Sequence, residues 1–225
     1  MPFPTNINYQ APAPLINPTP TLSSGPKSQV TRLLNRGIIT PAEANDLYNM
    51  SLSELEGDIL SRVLHFDGTD LETIFHRIQI WGGATGRYIY VRRPFNWADI
   101  EPYYLALINA CNIQDTDIQS LNSIGNAVQL FNSHVANIGI SFITKHTRFW
   151  LHRTLGENAL PVYDRVMATH VMTQNSVRLV DLVPYWTQVV QKAQQEGTSI
   201  DNLERHLFVH WQNLAHMPQP TVPHN

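Results

Sequence analysis

The chain has 225 residues, 43% of them apolar and 15% charged, and a formal net charge of −3. That is enough for one soluble core, or for two small subdomains sharing one. A lone cysteine, Cys111, excludes a disulfide framework, a cysteine-built zinc site and a four-cysteine iron–sulfur cluster. No apolar run approaches the ~18 residues of a membrane span. The N-terminus lacks the basic region and apolar run of a secretory leader, so a cytoplasmic location is expected. The bulk charge does not select a polyanionic partner, but the charges are unevenly spread. Residues 37–76 hold eight acids against Arg62 alone, whereas residues 77–165 hold eight bases against six acids. A locally basic face on an acidic protein therefore remains open.

Residues 1–27 form a proline-rich arm with seven prolines and no charge before Lys27. Proline lacks the N–H that a helix needs, so this stretch reads as extended, ordered only where it lies along the folded body. The helical part is expected to span 28–216, with a proline-marked tail at 217–225. A short helix runs from Ser28 to Arg36. Thr40-Pro-Ala-Glu43 and Ser51-Leu-Ser-Glu54 are capping boxes that each open a helix. A further helix begins at Asp67 or Thr69. The turn Trp81-Gly-Gly-Ala-Thr-Gly86-Arg87 breaks the pattern, and Tyr88-Ile-Tyr-Val91 reads as the one extended run. The glycine-rich turn matches neither a P-loop nor a dinucleotide fingerprint.

Helices then start at Asn96 or Asp99 and at Asp115 or Asp117, the latter ending near Asn137-Ile-Gly139. After a turn, a helix carries Lys145 to about Leu155 and stops at Gly156. Pro161 and Asp164 open the next, from Arg165 to about Met172. Two more cover about 179–195 and 199–215. Nine to ten helices, one short extended or hairpin element and no internal repeat give an all-α fold class.

Chemistry concentrates at Lys145 and Asp164. Lys145 is one of three lysines in the chain and stands among Phe142, Ile143, Phe149 and Trp150. Burial among such neighbours lowers an amine's pKa and makes it a nucleophile. Nineteen positions later Asp164 precedes a helix, where the dipole favours a carboxylate anion. Such an anion can stabilise an oxocarbenium ion as a sugar–base bond breaks. A surface lysine and an ordinary N-cap would show the same spacing. His206 and His210 are four apart on one helix, but no third ligand accompanies them, so neither a metal nor a cofactor is expected.

These motifs resemble the helix-hairpin-helix DNA glycosylases, and within them the shorter bacterial proteins of the 8-oxoguanine DNA glycosylase fold. The resemblance rests on Ile80-Trp-Gly-Gly-Ala-Thr-Gly-Arg87, Ser141-Phe-Ile-Thr-Lys145, Pro161-x-x-Asp164 and Leu203-Glu-Arg-His-Leu-Phe208, and so covers roughly residues 30–210. It implies a monomer that flips a damaged or modified base out of double-stranded DNA and cuts its N-glycosidic bond. Lys145 would attack C1′ and form a Schiff base that also permits strand cleavage, and Asp164 would stabilise charge on the sugar. Where the family has a Gly-x-Gly pair before the lysine, this chain has Ser141 and Ile143, with Gly139 nearby. The implied DNA contacts are Arg87, Gly139, Ser141, Arg148 and Arg153, and the implied stacking residues are Trp81, Phe142, Phe149 and Trp150. The setting would be repair, or defence against modified phage DNA, in a protein associated with the nucleoid when bound. The altered hairpin leaves a second reading, a non-catalytic DNA-binding module on the same scaffold.

Overall fold

The computed structural model describes residues 3–14, 21–83, 88–91 and 95–215, and every regular element among them is helical. Helix α1 (Ser24–Asn35) starts four residues before its expected position, because Pro26 fits the first turn, where its missing N–H has no partner to lose. α2 (Pro41–Asn49) and α3 (Leu52–Leu64) both begin at the expected capping boxes. The Glu43 and Glu54 carboxylates accept the backbone N–H of Thr40 and Ser51 at 2.7 Å each. α4 (Leu71–Trp81) begins late, since Asp67 turns its carboxylate onto the N–H and hydroxyl of Thr69 instead of capping. α5 (Tyr88–Val91) is a single turn, and a 3-10 turn at Trp97–Asp99 leads into α6 (Glu101–Ala110). Asp117 caps α7 (Ile118–His134) by accepting from the Ser120 N–H at 2.7 Å. α8 (Ile140–Leu155), α9 (Arg165–His170), α10 (Leu182–Glu196) and α11 (Ile200–Ala215) complete the chain.

α8 is the central element. Nine of its residues between Phe142 and Leu151 are buried, so it has no solvent face along that length. α3, α4, α6 and α7 pack around it, α1 and α2 lie outside α4, and α10 joins α7 to α11. A helix surrounded in this way must satisfy its polar side chains inside the protein. Thr147 donates to the Ile143 carbonyl at 3.0 Å. His146 sits between the Tyr104 hydroxyl and the Gln79 amide, both at 2.9 Å, and Trp150 Nε1 donates to Tyr104 at 2.8 Å. Desolvation, with help from Lys145 and His76, pushes the His146 pKa well down and keeps the ring neutral.

Two expectations need correction. Residues 88–91 are helical rather than extended: Ile89 and Tyr90 are consecutive and both buried, whereas a strand would turn them to opposite faces. Tyr90 then reaches His76 Nδ1 at 2.7 Å. α7 also ends at His134, three residues before the expected Asn137, which instead turns the chain with a positive φ of 66°.

Residues 3–14 of the proline-rich arm lie along the body. Phe3 and Tyr9 are buried, and Asn202 on α11 grips three backbone groups. Its amide nitrogen donates to the Tyr9 and Ala11 carbonyls at 2.8 and 3.0 Å, and its oxygen accepts from the Ala13 N–H at 2.8 Å. His206 Nε2 adds a contact to the Ala11 carbonyl at 2.9 Å. The expected C-terminal tail, 217–225, lies outside the described residues. Replacing Asn202 with Ala should lower unfolding free energy by about 1–3 kcal/mol, because buried arm groups lose their partners. Hydrogen exchange at the Ala13 amide should rise in the same variant; unchanged protection there would show that the arm is held by other contacts.

Candidate active site

Lys145 lies one turn into α8, on the side that meets the end of α4. Its Nζ donates to the Gly82 carbonyl at 3.4 Å and sits 4.2 Å from the Phe142 ring centre. This approach depends on a missing side chain. A Cβ on Gly82 would stand 2.3 Å from Phe142 Cε1 and 3.1 Å from Lys145 Cδ. Only glycine lets the end of α4 close over the amine. Desolvation pushes the Lys145 pKa down, while Asp164 and then Glu204 oppose the shift.

Asp164 caps α9, its Oδ1 accepting the Met167 N–H at 3.0 Å. The residues before it form no regular structure, yet side chains hold their backbone at four points. Trp186 Nε1 donates to the Pro161 carbonyl at 3.0 Å and the Tyr185 hydroxyl to the Val162 carbonyl at 2.9 Å. Glu204 accepts the Val162 N–H at 2.8 Å, and Thr144 accepts the Tyr163 N–H at 3.0 Å. Thr144 immediately precedes Lys145, and Tyr163 immediately precedes Asp164. One hydrogen bond therefore sets α8 and the α9 cap in register, with the Asp164 carboxylate near enough for its charge to act on the amine.

Arg148 lies one turn beyond Lys145 on α8 and is 5% exposed. It pairs with Glu56 at 3.4 Å, Asp201 at 3.1 Å and Glu204 at 3.3 Å. Burial works against its charge, but Glu204, Asp201 and Glu56 outweigh that and raise its pKa. Glu204 shows the opposite balance. Desolvation drives its carboxyl up to about 7 despite Arg148, with Asp201 and Asp164 adding like charge.

The expected site residues thus separate. Lys145 and Asp164 come together, with Phe142 against the amine. Trp81, half-buried, packs edge-on against Phe149 at 5.0 Å. Phe149 and Trp150 are core residues, Trp150 being held by Tyr104 and by an edge contact to Phe66 at 5.1 Å, so neither presents a face for stacking. Arg148 is committed to three carboxylates and is not offered to a phosphate. Arg153 is exposed but sits at the far end of α8, donating to the Phe66 carbonyl at 3.3 Å. Gly139 is the exposed N-cap of α8, with no side chain capping the helix, and Ser141 lies in its first turn; the Gly139 carbonyl accepts the Phe142 N–H at 2.8 Å. Arg87 lies outside the described residues. Sequence reasoning missed Gly82, Thr144, Tyr185, Trp186 and Glu204. Gly82 lay in the glycine-rich turn, and Glu204 left a signal as an acid on the apolar stripe of α11 between Ile200 and Leu207. No protein-family model, curated protein or solved structure matches the chain.

Glu204 gives the site a pH signature. A carboxyl whose folded pKa is raised stabilises the fold below its ordinary pKa of about 4.5, and loses that contribution as pH rises through about 7. Relative to Glu204→Gln, the wild-type protein should lose on the order of 2 kcal/mol between pH 4.5 and 8. Urea unfolding of both proteins across that window measures the difference, and a constant difference would contradict a buried, protonatable Glu204.

Proposed function

We propose that this chain is a DNA glycosylase in which Lys145 is the amine nucleophile and Asp164 the carboxylate that stabilises charge on the sugar. The observation carrying this reading is a desolvated lysine and a helix-capping aspartate set in register through Thr144 and Tyr163. Desolvation favours the neutral amine that attack requires, and the nearby anion suits a substrate whose sugar becomes cationic as its base departs.

The step balances as follows. The Lys145 lone pair bonds to C1′ of a flipped nucleotide while the C1′–N bond breaks, its electron pair leaving with the base. One amine proton passes to the departing base. The nitrogen lone pair then opens the sugar ring, O4′ takes a proton from solvent, and a protonated Schiff base remains. Hydrolysis releases Lys145, and loss of a C2′ proton with departure of the 3′ phosphate would cut the strand. Asp164 favours the cationic stages. Phe142 and the Gly82 carbonyl hold the amine against one wall. The substrate class is a damaged or modified base in double-stranded DNA, met in repair or in defence against modified phage DNA.

The hairpin favours a second reading. Ile143 is fully buried and Ser141 half-buried where a glycine pair would expose backbone amides to a phosphate. A non-catalytic DNA-binding module would fit that feature. Borohydride treatment during reaction with modified duplexes separates the two readings. Wild type should yield a covalent protein–DNA adduct, Lys145→Gln none, and Asp164→Asn a rate lower by roughly 100-fold or more with DNA affinity nearly unchanged. An adduct from Lys145→Gln would remove Lys145 from the mechanism, and salt-sensitive binding without base release from any duplex would favour the binding module.

A further inference from the structure

The end of α4 presents two backbone carbonyls to its neighbours. The Gly82 N–H donates to the Ile78 carbonyl at 2.9 Å and the Gly83 N–H to the Ile80 carbonyl at 3.0 Å, so both donors of this turn are spent within α4. Both acceptors serve other helices. The Gly82 carbonyl takes Lys145 Nζ of α8 at 3.4 Å, and the Gly83 carbonyl takes Gln29 Nε2 of α1 at 3.0 Å. A helix ends in partial negative charge, so carbonyls at this end suit donors and cations.

Three features fix the turn. Gly83 has a φ of 84°, in the left-handed region that glycine adopts without strain. Gln29 is fully buried on the face of α1 that packs on α4, so its amide ties the turn to a second helix. Gly82 has an ordinary helical φ of −65°, and what demands glycine there is its neighbour. An added Cβ would lie 2.3 and 3.0 Å from Cε1 and Cζ of Phe142 and 3.1 Å from Lys145 Cδ.

Asp164 and Glu204 act on the amine by charge from the α9 cap and from α11, and His146 beside it on α8 is kept neutral. Gln79, Ile80, Trp81 and Gly82 bring no charged side chain from the end of α4. Among the described residues, the hydrogen-bond acceptor of Nζ is the Gly82 carbonyl. Once Nζ has bonded to C1′ and the sugar has opened, the nitrogen keeps one N–H and carries a positive charge. We propose that the Gly82 carbonyl is a catalytic group that aims Nζ at C1′ and accepts that N–H in the Schiff base. Gln29 and Phe142 act through it as positioning residues. This rests on the glycosylase reading and adds a hydrogen-bond partner for its cationic intermediate.

The test uses a short duplex with one abasic site, whose C1′ aldehyde accepts the amine whatever base the protein releases. Nζ bonds to C1′, and the aldehyde oxygen leaves as water with one proton from nitrogen and one from solvent. Borohydride then delivers hydride to the iminium carbon and fixes the adduct. Wild type should be trapped, with Lys145→Gln as the blank. In Gly82→Ala the displaced Phe142 admits water to the amine, and each unit added to the Lys145 pKa lowers the neutral amine at pH 7 about tenfold. Trapping by Gly82→Ala should therefore slow about tenfold or more at pH 7 and recover toward wild type at higher pH. Gly82→Ala/Phe142→Leu, which removes the two closest ring contacts, should regain most of the loss. Gln29→Met should slow trapping about tenfold with duplex affinity unchanged, and it carries the test alone should Gly82→Ala not fold. If wild type is trapped and the folded variants keep its rate and pH profile, the Gly82 role is wrong and the Lys145 reading stands. A lower melting temperature with an unmoved pH profile likewise reduces Gly82 to packing. Trapping that depends on Gly82, without base release from any modified duplex, would leave the Gly82 role standing and remove the glycosylase. No adduct from any duplex, abasic or modified, would overturn both.

Discussion

Burying Arg148 in the middle of α8 commits acidic residues on two other helices to meet it. Glu56 comes from α3, and Asp201 and Glu204 come from α11. Leaving such a charge unpaired by removing a partner costs several kcal/mol, so the three helices cannot shift independently. Glu204 extends the constraint, because its carboxyl also holds the Val162 N–H, two residues before Asp164. Thr144, one turn back along α8, holds Tyr163. The arginine expected to touch DNA is thus an internal tie that fixes the cap of α9 relative to Lys145.

That arrangement resolves a tension in the site. A lysine becomes nucleophilic only if water is kept from it, yet a nearby anion pulls its pKa back up. Here desolvation by Phe142 and the closed end of α4 outweighs Asp164 and Glu204. Glu204 is itself driven toward its neutral form near pH 7, which weakens its pull on Lys145. The two carboxylates are thus held differently: Asp164 is fixed by its cap on the Met167 N–H, and Glu204 by the Val162 N–H.

How much of this the sequence disclosed follows from the range of the interactions. Helix starts governed by local hydrogen bonds were legible: the boxes at Thr40 and Ser51, the cap at Asp117 and the cap at Asp164 each need only a few neighbouring residues. The desolvation of Lys145 and the helix cap at Asp164 were legible because adjacent apolar residues and a helix start set them. Tyr88–Val91 misled because β-branched and aromatic residues favour strands only when a partner strand and a face to cover are present. Arg148 misled for a different reason. Its partners stand 92, 53 and 56 positions away, and nothing local distinguishes a buried arginine from a phosphate-facing one. Gly82 belonged to a turn already visible, but its need to be glycine arises from Phe142 sixty positions on.

The central claim is that burial beside a fixed carboxylate leaves Lys145 more easily deprotonated than an ordinary lysine. The chain has only three lysines, so isotope labelling at the side-chain ε-carbon gives a spectrum simple enough to assign with Lys145→Gln. Titrated by NMR, the Lys145 resonance should shift at a pH clearly below the ordinary lysine value of about 10.4. If it titrates at or above that value, the electrostatic pull of Asp164 and Glu204 outweighs burial, and the site as described does not hold a nucleophile.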